Sequence, residues 1–244
     1  MSGLSLINTY IGDSSGESDE DEVKRPRLPK PDLSKVHLVT SDIHIDNPGL
    51  HSGRVRSFPH VRGNWATFAF IKYPKYQLLE LINKIQKEIY TVDENINICD
   101  DFHISLSKTI VLKYHQLNPF KSSLHAALLG TNSFDLDFNT FKIYCNEENT
   151  RTFISLQADY CSRAYLLSIT NKIDGVLTDF GLPTFYKDPS FHMSILWLNG
   201  NKKRKIANII EKLNEIDLSD TLKSINISSI FCKTGNKCFQ YLLD

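Results

Sequence analysis

Two short runs of the chain carry the same polar pair. Residues 102–108 read FHISLSK, and residues 191–197 read FHMSILW. Each sets a serine two places after a histidine inside an apolar run. Side chains alternate faces along a strand. His103 and Ser105 therefore share a face, with Ser107 beyond them, while Phe102, Ile104 and Leu106 take the other. In the second run His192 and Ser194 stand together, opposite Phe191, Met193, Ile195 and Trp197. An unpaired buried imidazole or hydroxyl costs about 1–3 kcal/mol. The apolar faces can pack under helices, but the polar faces must look at something else.

Two imidazoles and two hydroxyls brought to one place suit a phosphodiester. An imidazole titrates near pH 6.5, so one ring can serve as base and the other as acid. The hydroxyls can donate to the non-bridging oxygens and stabilise charge in the transition state. RNA supplies its own nucleophile, the ribose 2′-hydroxyl, so the set calls for no metal or other cofactor. A single His-x-Ser is weak evidence, because on the order of one copy is expected by chance in a chain rich in both residues. Two copies at matching places in a repeated unit are more specific. The remaining histidines have less to offer. His37, His44, His51 and His60 fall in polar, irregular sequence without metal-ligand spacing, and His115 and His125 read as loop and helix residues. No GxSxG elbow is present to support a serine triad.

The elements that must position these pairs repeat. WATFAFI (65–71) has the β-branched and aromatic content of a strand. YQLLELINKIQKEIY (76–90) places Leu78, Leu81, Ile82, Ile85 and Ile89 at helical spacing. The first His-x-Ser strand follows. Asn118-Pro119 then resembles a helix start, with the helix ending near Leu129 at Gly130. Residues 134–146 read as one long or two short strands. The order recurs with RTFISLQ (151–157) as a strand and 160–180 as a helix stopped by Gly181 and Pro183. The second His-x-Ser strand and a helix over 203–216 complete the repeat. Residues 221–231 and 237–243 read as a closing hairpin around the turn Lys233-Thr234-Gly235-Asn236. The expected fold is α+β, with two pseudo-symmetric lobes at about 65–130 and 151–216. Each lobe has an antiparallel sheet with helices, and the two surround a central cleft into which the polar faces look.

The chain has 244 residues, 41% hydrophobic and 23% charged, with no net formal charge. That is ordinary globular composition with a real core. The balance is uneven: residues 1–50 hold nine acids and five bases, leaving 19 and 23 for the remainder. The body is mildly basic, which permits an anionic partner. The first 50 residues, with IGDSSGESDEDEVKRPRLPKPDLSK at 11–35, have little to bury and read as a disordered tail before a domain over 51–244. Ser14, Ser15 and Ser18 precede acids and are candidates for phosphorylation. The basic patch at 24–27 reads equally as a nuclear-import signal or a solvated linker. Cys99, Cys145, Cys161, Cys232 and Cys238 are odd in number and lack CxxC spacing, so they read as thiols in a reducing compartment. No apolar run approaches the roughly 20 residues of a membrane span, and the first residues lack the pattern of a secretory signal. A soluble cytosolic or nuclear protein is expected.

The two His-x-Ser motifs on repeated lobes resemble the 2H phosphoesterases. HSGRVRSFPHVRGNWAT (51–67), FHISLS (102–107), KIYCNEENTRTFISL (142–156) and TFYKDPSFHMSILW (184–197) narrow the resemblance to the group that finishes the 3′ end of U6 small nuclear RNA. It runs from about His51 onward. It implies a metal-independent 3′→5′ exoribonuclease, a monomer in the nucleus, acting on uridine-rich or adenosine-terminated RNA ends. It further implies His103 and His192 as the proton-transfer pair, Ser105 and Ser194 as phosphate ligands, and Tyr186 as the platform for the terminal base. Asp188, Pro189 and Ser190 would line the approach to His192. Read alone, Tyr186-Lys187-Asp188-Pro189 is equally a surface turn. The family pattern implies an amide near Glu147, where this chain has a carboxylate. The expected product is a 2′,3′-cyclic phosphate, which some relatives open. The spacing does not distinguish the two histidines, and His192 is taken as the base. A general 2′,3′-cyclic nucleotide phosphodiesterase and a non-catalytic RNA-end-binding module remain as alternatives.

Overall fold

The computed structural model describes residues 47–51, 53, 61–218, 222 and 224–244. The acidic serine-rich stretch, its candidate phosphorylation sites and the basic patch at 24–27 lie outside the described residues, as does most of the block at 51–60.

The repeated pattern becomes two lobes whose strands join into one sheet. In the first lobe β1 (Asn64–Lys72) is central. It pairs antiparallel with β3 (His103–Ser105), β4 (Ile110–Lys113) and β10 (Ser229–Thr234), and β11 (Lys237–Leu242) closes the edge. The second lobe runs β6 (Phe138–Cys145), β7 (Arg151–Ala158), β8 (His192–Asn199). The lobes meet where β3 lies beside β8, giving the order β11-β10-β1-β3-β8-β7-β6, while β2 (Asn97–Ile98) extends the seam along β8. β5 (Phe134–Leu136) and β9 (Ile225–Ile227) form a separate small ladder.

Among the described residues four α-helices cover the apolar side. They are α1 (Leu79–Tyr90), α2 (Leu117–Leu128), α3 (Tyr160–Asp179) and α4 (Lys203–Leu213). The stripe Leu81, Ile82, Ile85 and Ile89 of α1 is buried as its spacing requires. So is the α3 stripe Leu166, Ile169, Ile173, Val176 and Leu177. These join one core with Ile71, Ile104, Leu156, Met193 and Leu196 from the sheet. α1 neighbours α4, and α2 neighbours α3. Each helix pair thus takes one member from each lobe, as a pseudo-twofold axis through the β3–β8 seam demands. Asp159 caps α3 by accepting from the Ser162 backbone N–H at 2.7 Å, an arrangement that contributes about 1 kcal/mol.

Several boundaries differ from the sequence reading, among them the strand read over 221–231, which is divided between β9 in the small ladder and β10 in the main sheet. The first His-x-Ser strand ends at Ser105 because Ser107 turns inward. Its hydroxyl accepts from the Ala69 N–H at 2.9 Å, replacing a main-chain partner. Ser107 is thus buried structure. Asn118 is not the cap of α2: a 3₁₀ turn over Tyr114–Gln116 leads directly into the helix, and the Gln116 amide accepts from the Lys113 N–H at 2.8 Å. Pro119 still sits in the first turn, where its missing N–H has no intrahelical partner to lose. The closing hairpin turns on Gly235 and Asn236 alone, since Thr234 pairs with Lys237. Gly235 has φ of 55°, and a Cβ there would lie 2.9 Å from the Trp65 ring, so both backbone and space require glycine.

Candidate active site

The seam fixes the site. Ile104 is the direct cross-strand partner of Met193, and both are buried in the core. One residue to either side, the register sets His103 beside Ser194 and Ser105 beside His192, on the opposite face. The convergence expected of two lobes is therefore achieved laterally, by strand pairing.

Both rings are held in the same way. Nδ1 of His103 donates to the Asp101 carbonyl at 3.2 Å, and Nδ1 of His192 donates to the Ser190 carbonyl at 2.6 Å. A carbonyl only accepts, so each Nδ1 carries its proton and each Nε2 is left for the solvent side. The same bond to the residue two places earlier recurs in both lobes, a second mark of the internal repeat. Burial pushes the His103 pKa below its ordinary value, Lys233 lowers it further, and Asp101 opposes the change. His192 is likewise lowered, chiefly by burial and also by the charge of His103. That coupling means each ring feels the other's proton, as an acid–base pair must.

Around these four side chains the structure adds residues that sequence spacing did not single out. The Tyr144 ring stacks on His192 with centroids 3.8 Å apart and 12° between planes. Its hydroxyl meets the Ser190 hydroxyl at 2.7 Å. Ser155, fully buried on β7, lies 3.0 Å from the Ser194 hydroxyl. On the other lobe Phe68 and Phe70 wall His103, with ring centroids at 5.8 and 5.5 Å. Tyr144 lay within a block quoted for its resemblance, yet its role depends on how far β6 carries it over the face. No local pattern encodes that.

The remaining predicted residues are spread around the His192 end. Tyr186 is 48% exposed. The Lys108 ammonium stands 4.4 Å from its ring centroid, and its hydroxyl donates to the Glu147 carboxylate at 3.1 Å. The carboxylate that replaces the expected amide thus holds this aromatic. Ser190 serves the site through its backbone carbonyl and its contacts with Tyr144 and Gln157. Pro189 is buried. Asp188 is paired with Arg163 of α3 at 2.7 Å, so its carboxylate anchors the loop to the helix. The five cysteines are free thiols, and among the described residues no three His, Cys, Asp or Glu side chains cluster as a metal site. No helix among them is long and apolar enough to cross a membrane.

Known proteins resemble this chain along most of its length. A family model described as "HVSL: Uncharacterised conserved protein" matches residues 26–241. The chain is 37% identical over 240 residues to U6 snRNA phosphodiesterase 1 of Xenopus laevis, covering 93% of this chain and 96% of that one. It is 34% identical to the protein of that name from Homo sapiens, covering 96% of this chain and 90% of the relative. Its fold is similar to that of Kluyveromyces marxianus Usb1, with a TM-score of 0.53 at 13% identity, covering 74% of this chain and 98% of that one. With a third of its residues shared along nearly its whole length, and the paired His-x-Ser strands laid side by side, the chain belongs to the U6 snRNA phosphodiesterase 1 family.

Proposed function

We propose that this protein is a metal-independent 3′→5′ exoribonuclease that trims the uridine-rich 3′ end of U6 small nuclear RNA, working in the nucleus. The observation that carries the reading is the β3–β8 seam. It supplies two tied-back imidazoles and two hydroxyls at one spot, enough to handle both protons and the charge of an in-line displacement.

The seam has two ends, and they give the histidines different roles. Tyr186 lies in the loop before His192 and is backed by Lys108, which lies just beyond the Ser105 end of β3. A terminal base stacked on Tyr186 brings its ribose to the His192 end. His192, protonated, then gives its proton to the departing 5′-oxygen of the last nucleotide. His103, neutral at Nε2, takes the proton from the 2′-hydroxyl of the penultimate nucleotide. That oxygen bonds to phosphorus as the P–O5′ bond breaks. The RNA is left with a 2′,3′-cyclic phosphate, and the last nucleotide leaves with a 5′-hydroxyl. Ser105 and Ser194 donate to the non-bridging oxygens, with Ser155 orienting Ser194. This order reverses the base assignment taken from sequence.

The test is incubation with uridine-tailed RNA in EDTA, followed by mass analysis of the 3′ termini. Stepwise shortening to cyclic-phosphate ends is expected, with none when the penultimate sugar is 2′-deoxyribose. Loss of activity in EDTA, or cleavage past the deoxyribose, would overturn the mechanism. Faster turnover of small cyclic phosphates than of RNA ends would favour the general cyclic phosphodiesterase, and binding without product the end-binding module.

A further inference from the structure

The two histidines come from matching motifs and are tied back in the same way, yet their aromatic neighbours differ. His192 lies flat on a ring. Tyr144 is 12° from parallel to it, with centroids 3.8 Å apart. The rings beside His103 are turned. Phe70 meets it at 71° and Phe68 at 47°, with centroids 5.5 and 5.8 Å away. The face of an aromatic ring is its negative side. A cation stacked on that face is stabilised, most of all where water is excluded. The Tyr144 hydroxyl meets the Ser190 hydroxyl at 2.7 Å, and the Ser190 carbonyl accepts from His192 Nδ1. One residue thus fixes both partners of the stack.

The other groups around the two rings do not distinguish them. Gln157, the cross-strand partner of His192 on β7, is uncharged. The charge that reaches His192 is that of His103 on β3, which opposes a second proton, and burial opposes one as well. The Ser190 carbonyl favours the charged form, but Asp101 gives His103 the same bond. Around His103 the charges of Asp101 and of Lys233 on β10 pull in opposite directions. Tyr144 is itself titratable, yet burial raises its pKa above the ordinary value, so the ring is neutral near pH 7. The parallel aromatic face is what remains to separate one imidazole from the other.

We propose that Tyr144 is a positioning residue whose ring face stabilises the imidazolium of His192, so that His192, and not His103, enters the reaction carrying the proton. His192 then passes that proton from Nε2 to the 5′-oxygen as the P–O5′ bond breaks. The inference rests on the exoribonuclease reading and deepens it. Two identical motifs become an ordered acid and base because β6 lays one ring over one of them.

NMR titration of the imidazoles in the wild-type protein, Tyr144→Phe and Tyr144→Leu reads the effect directly. Leucine keeps apolar cover over His192 but has no aromatic face. In Tyr144→Leu the His192 midpoint is expected to fall by about half to one pH unit, and in Tyr144→Phe to stay near the wild-type value. Single-turnover rates at pH 7 then show whether the ring acts through the acid. The substrates are UpU and its analogue with sulfur in place of the bridging 5′-oxygen. A thiolate leaves without a proton, so the analogue has no need of an acid. Tyr144→Leu should cut UpU up to about tenfold more slowly than the wild type and the sulfur analogue at nearly the wild-type rate. A distorted site would slow both. An unmoved His192 midpoint, or the same ratio of variant to wild-type rate on both linkages, would overturn the role of the ring while leaving the exoribonuclease standing. A wild-type protein that cuts neither linkage would overturn the exoribonuclease reading, and the role of the ring with it.

Discussion

Ile104 and Met193 face each other across the seam of the two lobes, and that single register pair aligns every group of the site. Shifting it by one residue would put the two histidines on opposite faces of the sheet, one of them in the core. The four polar side chains beside it should therefore fail singly. His103→Ala and His192→Ala are each expected to lower single-turnover cleavage by about 10²–10⁴-fold. Ser105→Ala and Ser194→Ala should cost up to about 10²–10³-fold, as for a lost oxyanion donor. Ser155→Ala should cost less, because it only orients Ser194. Circular dichroism on the same preparations separates these losses from misfolding.

Tyr144 contributes a ring and a hydroxyl, and the two can be parted. Tyr144→Phe keeps the stack on His192 and loses the bond to Ser190, so a fall of only a few-fold is expected. Tyr144→Ala frees the imidazole and should approach the loss seen for His192→Ala. Equal effects of the two changes would mean that the hydroxyl matters more than the stack.

The charge of Lys233 holds the His103 pKa down, and that of Asp101 holds it up. Lys233→Gln should raise the His103 titration midpoint, and Asp101→Asn should lower it. Imidazole chemical shifts followed by NMR report this directly. They avoid the ambiguity of a bell-shaped rate profile, whose limbs belong to the pair.

Acid should weaken the fold through the same two rings. Both folded-state values lie below the ordinary 6.5, chiefly because burial disfavours the charged form. Just below pH 6.5 the unfolded chain therefore binds more protons than the native one. Stability from this source is full above that pH and is lost as pH falls toward the depressed values. The Tm of the wild-type protein should drop between about pH 7 and pH 5.5. The double variant His103→Gln, His192→Gln should drop less over the same window.

Much of this was legible in the sequence, for definite reasons. Alternation alone put His103 with Ser105 and His192 with Ser194, and helical spacing picked out the buried stripes of α1 and α3. The resemblance supplied Tyr186. What stayed hidden depends on contacts between distant segments. Nothing local says that β3 and β8 pair directly, that Tyr144 folds over His192, or that Phe70 walls His103. Ser107 shared the alternation of His103 and Ser105, yet its hydroxyl serves the Ala69 N–H. Asp188 looked like part of the approach to His192, yet its partner is Arg163, 25 residues away in sequence. Polarity predicts that a group needs a partner, but not which one.

The third strand of the second lobe, β6, precedes its neighbour in the chain, whereas the matching strand of the first lobe, β10, arrives after all four α-helices and both histidine strands. β10 lays Phe231 against Phe70 and sets Lys233 opposite Phe68. During synthesis both histidines have therefore emerged well before the strand that packs behind the Phe68–Phe70 wall. A chain interrupted after α4 would carry the whole reactive set, but the β1 edge would be bare. Such a fragment would present an open strand for aberrant pairing. That edge is covered only when the final hairpin docks, so the sheet that carries the site is completed by the last strands of the chain to be made.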